Sequence, residues 1–415
     1  MNIWLFRWDE PLPFDQSARL RRAGLLATEL LSRGHQVIWW TTNFNHFAKK
    51  LAFKPDEVLQ FKDNLTIVAL KSLTYKKNAS LVRLFSQRVS ARHFQIMQGQ
   101  FARPDIMIVH YPAIDLAFSA VRFAIKHKIP VIVDVRDMWP DTFIRLLPAL
   151  IRPLVKLFLW RSFKMKKYIF CQADVLLSMS NDVLGWAVRT SNRSKGDLDG
   201  VFYLGAPRGS MNEDDVRPEI RQWLMEHQQC FVCAYIGTFG KSYSLLSVVE
   251  AAKLLMQSGD QSIAFILAGD GPDFASVRQA AAGLESVFLP GWINSSEAAA
   301  ILQQSKVALI PINDTTPEGV MCNKLFDYAS HGVPVISSVD GEMRAFIDLH
   351  RIGLYYQDKQ VDQLILAIRA LQQDPEKTAE MAGESQKIYD EILDADKIYH
   401  RYADLVETVF YRQNN

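Results

Sequence analysis

The chain has 415 residues, 49% hydrophobic and 22% charged, which excludes disordered and fibrous classes; the length exceeds one ordinary core, so two domains are expected. No apolar run reaches the roughly 18 residues that span a bilayer, and Met1-Asn-Ile-Trp-Leu-Phe6 reads as a strand rather than a signal peptide. The net charge of +2 hides a split: residues 1–205 carry 30 Lys/Arg against 16 Asp/Glu, a balance of +14, and residues 206–415 carry 17 against 29, a balance of −12. Halves of opposite sign imply separate domains with different partners.

In chain order, the first half alternates strand and helix. Ile3–Phe6 reads as a strand, residues 18–33 have helical spacing with a stop at Gly34, and Gln36–Thr41 is a second strand. Further strands are expected at Leu65–Leu70, Ile106–His110, Val131–Val135 and Val175–Ser178, with helical patterns between several of them. Gly205–Asp215, with its Gly, Pro, Ser and Asn, reads as a linker. The second half repeats the scheme with strands at Phe231–Ile236, Ala264–Ala268, Val287–Leu289, Val307–Pro311 and Val333–Ser337. This alternation predicts two doubly wound α/β domains with parallel sheets, facing each other across a ligand cleft. The boundaries expected are 1–205 and 206–393, with a last helix at about 394–412. Ile398, Tyr402, Leu405, Val406, Val409 and Phe410 give that helix an apolar face that must dock, back across onto the first domain.

Four cysteines, Cys171, Cys230, Cys233 and Cys322, make no disulfide framework. The Cys230/Cys233 pair lies inside a strand pattern with no second pair or His cluster nearby, so reduced thiols are expected and no zinc site. Sequons at Asn64, Asn78 and Asn192 carry little weight without secretion.

The most informative stretch is Glu318-Gly-Val-Met-Cys-Asn-Lys-Leu-Phe-Asp-Tyr-Ala-Ser-His-Gly-Val-Pro-Val-Ile336. It reads as a loop, a helix opening at an Asn323 N-cap, a Gly332 stop and a short buried strand. Free N–H groups at such a helix start attract phosphate, and Asp327, one turn on, suits a ribose. The plain alternative is ordinary helix–strand packing with Asp327 paired to Lys324 at i+3.

Two stretches are basic and free of acids. Residues 142–168 hold seven Lys/Arg interleaved with Leu146, Leu147, Leu150, Ile151, Leu154, Leu157, Phe158 and Trp160, and residues 64–104 hold seven more. Such segments suit an anionic lipid surface, at about 1 kcal/mol per cation near the leaflet. Nucleic acid is not expected, since no binding motif accompanies the charge. A solvated helix face over the core is the plain reading.

The motifs together resemble the GT-B glycosyltransferases, and within them the large retaining family known as family 4. The match runs over nearly the whole chain: Ile3–Phe6 with Arg33-Gly-His-Gln-Val37, Asp134-Val-Arg-Asp-Met-Trp-Pro140, Tyr235-Ile-Gly-Thr-Phe-Gly240, Leu267-Ala-Gly-Asp-Gly-Pro272, Pro290-Gly-Trp-Ile293 and the stretch above. The wording Arg-Asp-Met-Trp-Pro and Asn-Lys-Leu-Phe-Asp-Tyr is most similar to bacterial members that build O-antigen, capsule or other surface polysaccharides.

The resemblance implies two facing Rossmann-like domains, with a C-terminal helix crossing back to the first. It also implies transfer, with retention, of a hexosyl or N-acetylhexosaminyl group from a UDP- or GDP-sugar. The acceptor would be a polyprenyl-diphosphate-linked sugar or an oligosaccharide. No cofactor or metal is expected, and the place of action would be the cytoplasm, peripherally on the inner face of the plasma membrane. Gly237, Thr238 and Lys241 would approach the diphosphate, Trp292 and Ile293 the base, and Val320, Met321, Cys322, Asn323, Lys324 and Asp327 the sugar, phosphate and ribose. Asp137, Glu318 and Lys241 are the catalytic candidates; Arg19, His110 and Arg136 are acceptor-side candidates. Two departures stand out: Gly319 occupies the place of the family's first motif acid, leaving its neighbour Glu318 to serve, and Arg136 replaces a common His. Rival readings are a nucleotide-sugar epimerase of the same fold and a non-catalytic scaffold subunit.

Overall fold

Parallel strands covered on both faces require unbroken apolar runs, and such runs form the centre of both sheets. The structure, a computed structural model, describes all residues except 14–18, 47, 77–79, 146, 210, 315–320 and 415, and the side chains of those described except 81, 413 and 414. Two units divide the chain: residues 1–203 with 399–415, and residues 204–398.

The first unit has strands β1 (Asn2–Phe6), β2 (Gln36–Thr42), β3 (Phe44–Asn45), β4 (Lys50–Leu51), β5 (Glu57–Lys62), β6 (Leu65–Leu70), β7 (Ile106–Tyr111), β8 (Val131–Val135), β9 (Val175–Ser178) and β10 (Gly200–Val201). Its main sheet runs β10-β9-β8-β7-β1-β2-β6-β5, parallel except for β5, and β3 pairs with β4 as a separate antiparallel ribbon. Helices α1 (Arg22–Ser32), α2 (Leu81–Met97), α3 (Ile114–His127), α4 (Asp141–Arg145), α5 (Arg152–Phe158), α6 (Trp160–Gln172) and α7 (Asn181–Ser191) complete it. The predicted stop after α1 is real: Gly34 takes φ +80°, a conformation that side chains resist. Between sheet and helices lies an aromatic core in which Trp40 packs on Trp4 at 5.0 Å, on Phe6 at 5.9 Å and edge-on to Phe94 at 5.0 Å. Each such pair adds about 0.5–1.5 kcal/mol beyond the area it buries.

The second unit is a single parallel sheet of β11 (Phe231–Ile236), β12 (Ile263–Ala268), β13 (Val287–Gly291), β14 (Val307–Ile310), β15 (Val335–Ser337) and β16 (Gly353–Tyr355). They lie in the order β13-β12-β11-β14-β15-β16. Its helices are α8 (Pro218–Glu226), α9 (Leu245–Gln257), α10 (Phe274–Ala280), α11 (Ser295–Gln304), α12 (Asn323–Ala329), α13 (Glu342–His350), α14 (Val361–Gln372) and α15 (Pro375–Ile388). The strand order reverses between β11 and β14, and the carboxyl ends of strands at such a reversal are where sheets of this kind usually form a ligand crevice. Here the loops after the two strands are joined, the Ser244 amide donating to the Pro311 carbonyl at 2.7 Å and the Asn313 amide to the Ser242 carbonyl at 3.0 Å. Among the described residues no helix is long and apolar enough to cross a membrane.

The last helix, α16 (Ala395–Asn414), belongs to the first unit from Tyr399 onward. It is held there by charge as well as by apolar packing. Asp134, at the end of β8, is fully buried, and its Oδ2 accepts from Arg22 Nε at 2.5 Å and from the Tyr402 hydroxyl at 3.2 Å. The Arg22 guanidinium lies 5.2 Å from the Tyr402 ring centre and also donates to the Phe202 carbonyl. Beside this, Glu10 accepts from the Ala23 amide at 2.8 Å and forms ion pairs with Arg136 and, at 3.2 Å, with Arg7. Nearer the surface Arg33 reaches Asp404 at 2.7 Å and His35 reaches Glu407 at 2.9 Å. Burial works against the charge on Asp134, but Arg22 and His110 outweigh it and hold the carboxyl at about 2. Glu10 is likewise held at about 2, with Arg136 and Arg7 overcoming burial.

His110 stands in this network and not on an accessible strand end. It is 2% exposed, with Nε2 3.2 Å from Asp134, and burial drives its pKa down to about 3 against the pull of Asp134. Its assignment as an acceptor contact is therefore corrected: it is a neutral, buried member of the core.

Arg22→Ala leaves Asp134 buried without its main counter-charge, and is expected to cost about 3–5 kcal/mol in urea unfolding followed by fluorescence of the buried tryptophans. Acid also acts through His110. Its folded pKa lies below the 6.5 of a free imidazole, so stability is complete above pH 6.5 and falls as the pH drops toward 3, because the unfolded chain binds the proton. His110→Gln is expected to flatten the stability profile between pH 6.5 and 4; an unchanged slope contradicts the assignment.

Candidate functional site

The crevice of the second unit is shaped by glycine. After β11 the chain turns at Gly237, where a β-carbon would collide with the ammonium of Lys324. After β12, a side chain at Gly269 would strike the Gly237 carbonyl, and one at Gly271 the Phe239 carbonyl. These contacts bring the strand-end loops backbone to backbone. The Gly237 amide donates to Ala268 at 2.9 Å, Phe239 to Asp270 at 3.0 Å, and Gly269 to the Gly291 carbonyl at 2.7 Å. Two tyrosines fasten the turn further: Tyr328 O accepts from the Ile236 amide at 3.0 Å, and the Tyr235 hydroxyl donates to the Thr238 carbonyl at 2.6 Å.

Lys324, in the first turn of α12, points across to this turn. It is 9% exposed, its Nζ donates to the Ile236 carbonyl at 2.6 Å, and it lies 4.6 Å and 4.9 Å from the ring centres of Tyr235 and Tyr243. No carboxylate among the described residues forms an ion pair with it. Burial lowers its pKa, with Cys322 and Asp327 pulling the other way. A carbonyl and two ring faces stabilise a cation only in part. Among the described residues the site thus holds a buried cation without an ion-pair partner, at the strand-order reversal.

The other residues named from sequence fall at several places. Gly237 is half-buried and Thr238 exposed in the turn itself; Lys241 is exposed just beyond, its carbonyl accepting from the Asn313 side chain. Met321 and Cys322 are buried, Asn323 is exposed and Asp327 half-buried. The expected Asn323 cap is corrected: Cys322 is the N-cap, in extended conformation without a side-chain cap bond, and Asn323 is the first helical residue. The anchoring of Lys324 sets that boundary, since a cap is worth only about 1 kcal/mol. The alternative pairing of Asp327 with Lys324 is not what forms. Trp292 is 71% exposed, so it is not core, and its carbonyl accepts from Arg217 at 2.9 Å; Ile293 beside it is half-buried. Glu318 and Val320 lie outside the described residues.

In the first unit Arg136 pairs with Glu10, Arg19 is exposed in a loop, and Asp137 is exposed at the end of β8 beside Trp139. Sequence reasoning missed Tyr235, Tyr243 and Tyr328. The signal was present for Tyr328, which closes the Asn-Lys-Leu-Phe-Asp-Tyr phrase, and for Tyr235, which opens Tyr-Ile-Gly-Thr-Phe-Gly; nothing local marks Tyr243. All four cysteines are free thiols, and among the described residues no group of His, Cys, Asp or Glu is placed to hold a metal ion.

A family model described as Glycosyl transferases group 1 matches residues 230–374. No curated protein matches the chain. Among solved structures it is similar over 99% of both chains to sucrose-phosphate synthase from Thermosynechococcus elongatus, at 15% identity and TM-score 0.69. It is similar to α,α-trehalose 6-phosphate synthase from Burkholderia multivorans at 11% identity and TM-score 0.69, over 100% of this chain and 97% of that one. It also resembles HepE from Anabaena in complex with UDP, at 11% identity and TM-score 0.67, over 98% and 100%. At such identities the likeness establishes the fold, and it agrees with the two doubly wound domains predicted from sequence. Residues 230–374 thus match the family described as Glycosyl transferases group 1, within a chain that has the GT-B fold.

Proposed function

We propose that the protein is a retaining glycosyltransferase that takes a hexosyl or N-acetylhexosaminyl group from a nucleotide-diphosphate sugar, UDP-linked before GDP-linked. The acceptor is a lipid-linked or oligosaccharide intermediate of bacterial surface polysaccharide. The observation that carries this reading is the buried Lys324 ammonium, which forms no ion pair with a carboxylate among the described residues, placed at the glycine turn after β11 where the strand order reverses. The solved relative in complex with UDP favours uracil as the base.

In this reading the diphosphate supplies the negative charge that Lys324 lacks. Gly237 admits it because no side chain stands between phosphate and backbone, and Lys241 adds a mobile second cation from the loop. Asp327 takes the ribose hydroxyls, and Trp292 and Ile293 flank the base. As the bond between the anomeric carbon and the diphosphate oxygen breaks, charge grows on the leaving oxygen, where a fixed and partly desolvated ammonium is most effective. The acceptor hydroxyl forms the new bond on the same face, and its proton passes to the departing phosphate. The glycosyl carbon acquires oxocarbenium character, as in other glycosyl transfers. Glu318 serves the donor sugar, and Asp137, with Arg136 and Arg19, the acceptor side.

The first unit supports a membrane-bound acceptor. On and around α5 the apolar side chains face outward: Leu150 is 92% exposed, Leu154 and Leu157 69% each, and Trp160 53%. Arg152, Lys156, Arg161 and Lys164 are exposed among them. Exposed leucines alternating with cations suit the interface of an anionic leaflet.

Lys324→Met is expected to weaken UDP binding at least tenfold by calorimetry without lowering the melting temperature of the unliganded protein, since it removes a poorly compensated charge from the interior. Asp327→Ala should weaken UDP binding as well, and a wild-type affinity in both variants would end the nucleotide assignment. Slow release of UDP from a UDP-sugar, in the absence of acceptor, separates a transferase from a scaffold. Replacing Arg152, Lys156, Arg161 and Lys164 together by Glu is expected to release the protein from vesicles containing phosphatidylglycerol in a flotation assay; persistent binding contradicts the leaflet reading.

A further inference from the structure

The first unit contains a cavity of about 360 Å³ between the amino-terminal end of α2, the residues after β7 and β8, and α5. That is within the size range of small-ligand sites, about 300–1,000 Å³. Much of its wall is apolar, from Leu84, Val155, Leu159 and the aromatic rings of Trp139, Phe143 and Phe158, with Ser80 and Gln87 also lining it. Arg83 and Asp137 are the ionisable groups among its lining residues. Phe158 lines the cavity and is also 64% exposed, so the cavity opens beside the outward leucines of α5.

The surroundings carry a surplus of positive charge. Arg88 from α2 and Arg161 from α6 converge on the same acid, Asp115, at 3.9 Å and 3.8 Å. Residues 64–104 and 142–168 contain no acid of their own. Asp137 faces Arg83 across the cavity and Asp141 pairs with Lys166 at 2.5 Å, while Arg152, Lys156 and Lys164 stand exposed on α5 and α6. An occupant that fits both features has an apolar, bulky body and a strongly anionic head.

We propose that this cavity holds the first isoprenoid units of a diphosphate-linked lipid, with the diphosphate at Arg83 and the chain leaving past Phe158 toward α5. The inference rests on the lipid-linked acceptor reading above and adds to it a place where that lipid is gripped. An acyl chain within a leaflet is already surrounded by hydrocarbon and gains little by entering a protein. A carrier lipid raised to present its head loses those contacts, and an apolar cavity at the leaflet restores them. Methyl-branched isoprene units suit a short, wide, aromatic-walled space. Asp137, exposed at the polar end, then stands beside the head group carried by the bound lipid.

Farnesyl diphosphate is the probe. Titrated calorimetrically into the full-length protein it is expected to bind, with inorganic diphosphate and dioctanoyl phosphatidylglycerol at least tenfold weaker. Val155→Trp fills the cavity from a half-buried position and should weaken farnesyl diphosphate tenfold or more. It should leave UDP affinity and binding to phosphatidylglycerol vesicles unchanged. Leu84→Trp, on the α2 wall, provides the same test should the first variant fail to fold. Undiminished farnesyl diphosphate binding in a folded variant, or equal affinity for dioctanoyl phosphatidylglycerol, overturns the cavity assignment and leaves the leaflet reading standing. A wild-type protein that ignores vesicles while Val155→Trp still abolishes farnesyl diphosphate binding sustains the cavity and removes the leaflet reading.

Discussion

The second unit is organised around one ammonium placed where a charge is costly. Lys324 leaves solvent to meet the last carbonyl of β11 and two tyrosine rings. Everything near it follows from the space it takes. Gly237 must lack a side chain, Gly269 must then approach Gly237, and Gly271 must approach Phe239. Tyr328, one turn further along α12, ties the helix to the same strand end. Only partly compensated by the protein, such a cation lowers stability by itself, and proteins retain arrangements of this kind where function needs them.

The first unit uses the same architecture in the opposite manner. Its strand ends also gather buried charge, but here the charges neutralise one another: Asp134 with Arg22, and Glu10 with Arg136 and Arg7. The buried carboxylates are held ionised by their partners and the imidazole of His110 is held neutral by burial. A closed network of this type fixes positions. In the proposed reading, what the first unit offers to a ligand, Arg136 apart, lies outside that network, on the apolar and basic surface formed by α2, α5 and α6.

Much of this was legible in the chain, for local reasons. The β1, β7 and β8 runs are mostly apolar because both sheet faces are covered, with His110 and Asp134 as the buried polar exceptions, and Gly34 and Gly332 end helices at positive φ as expected. The phrase from Asn323 to Tyr328 marked the end of β11 because two of its side chains, Lys324 and Tyr328, both reach Ile236 from one turn of helix. What escaped depends on distance along the chain. Arg22 reads as one more cation of a basic half, and its ion pair lies 112 residues away. The β5 segment, Glu-Val-Leu-Gln-Phe-Lys, mixes polar and apolar residues because it is an antiparallel edge exposed on one side. Asn323 carries the better capping side chain, yet Cys322 takes the cap because the long reach of Lys324 decides where the helix begins. Trp292 reads equally as core or as surface until the Arg217 contact turns its backbone inward and its ring out.

The route of α16 has a consequence for how the molecule is made. Tyr402 closes over Arg22 and Asp134, so the first unit is unfinished until α16 has been synthesised. A ribosome therefore exposes a sheet with an unsealed edge of charge, makes the intervening unit, and only with α16 supplies the piece that seals the beginning.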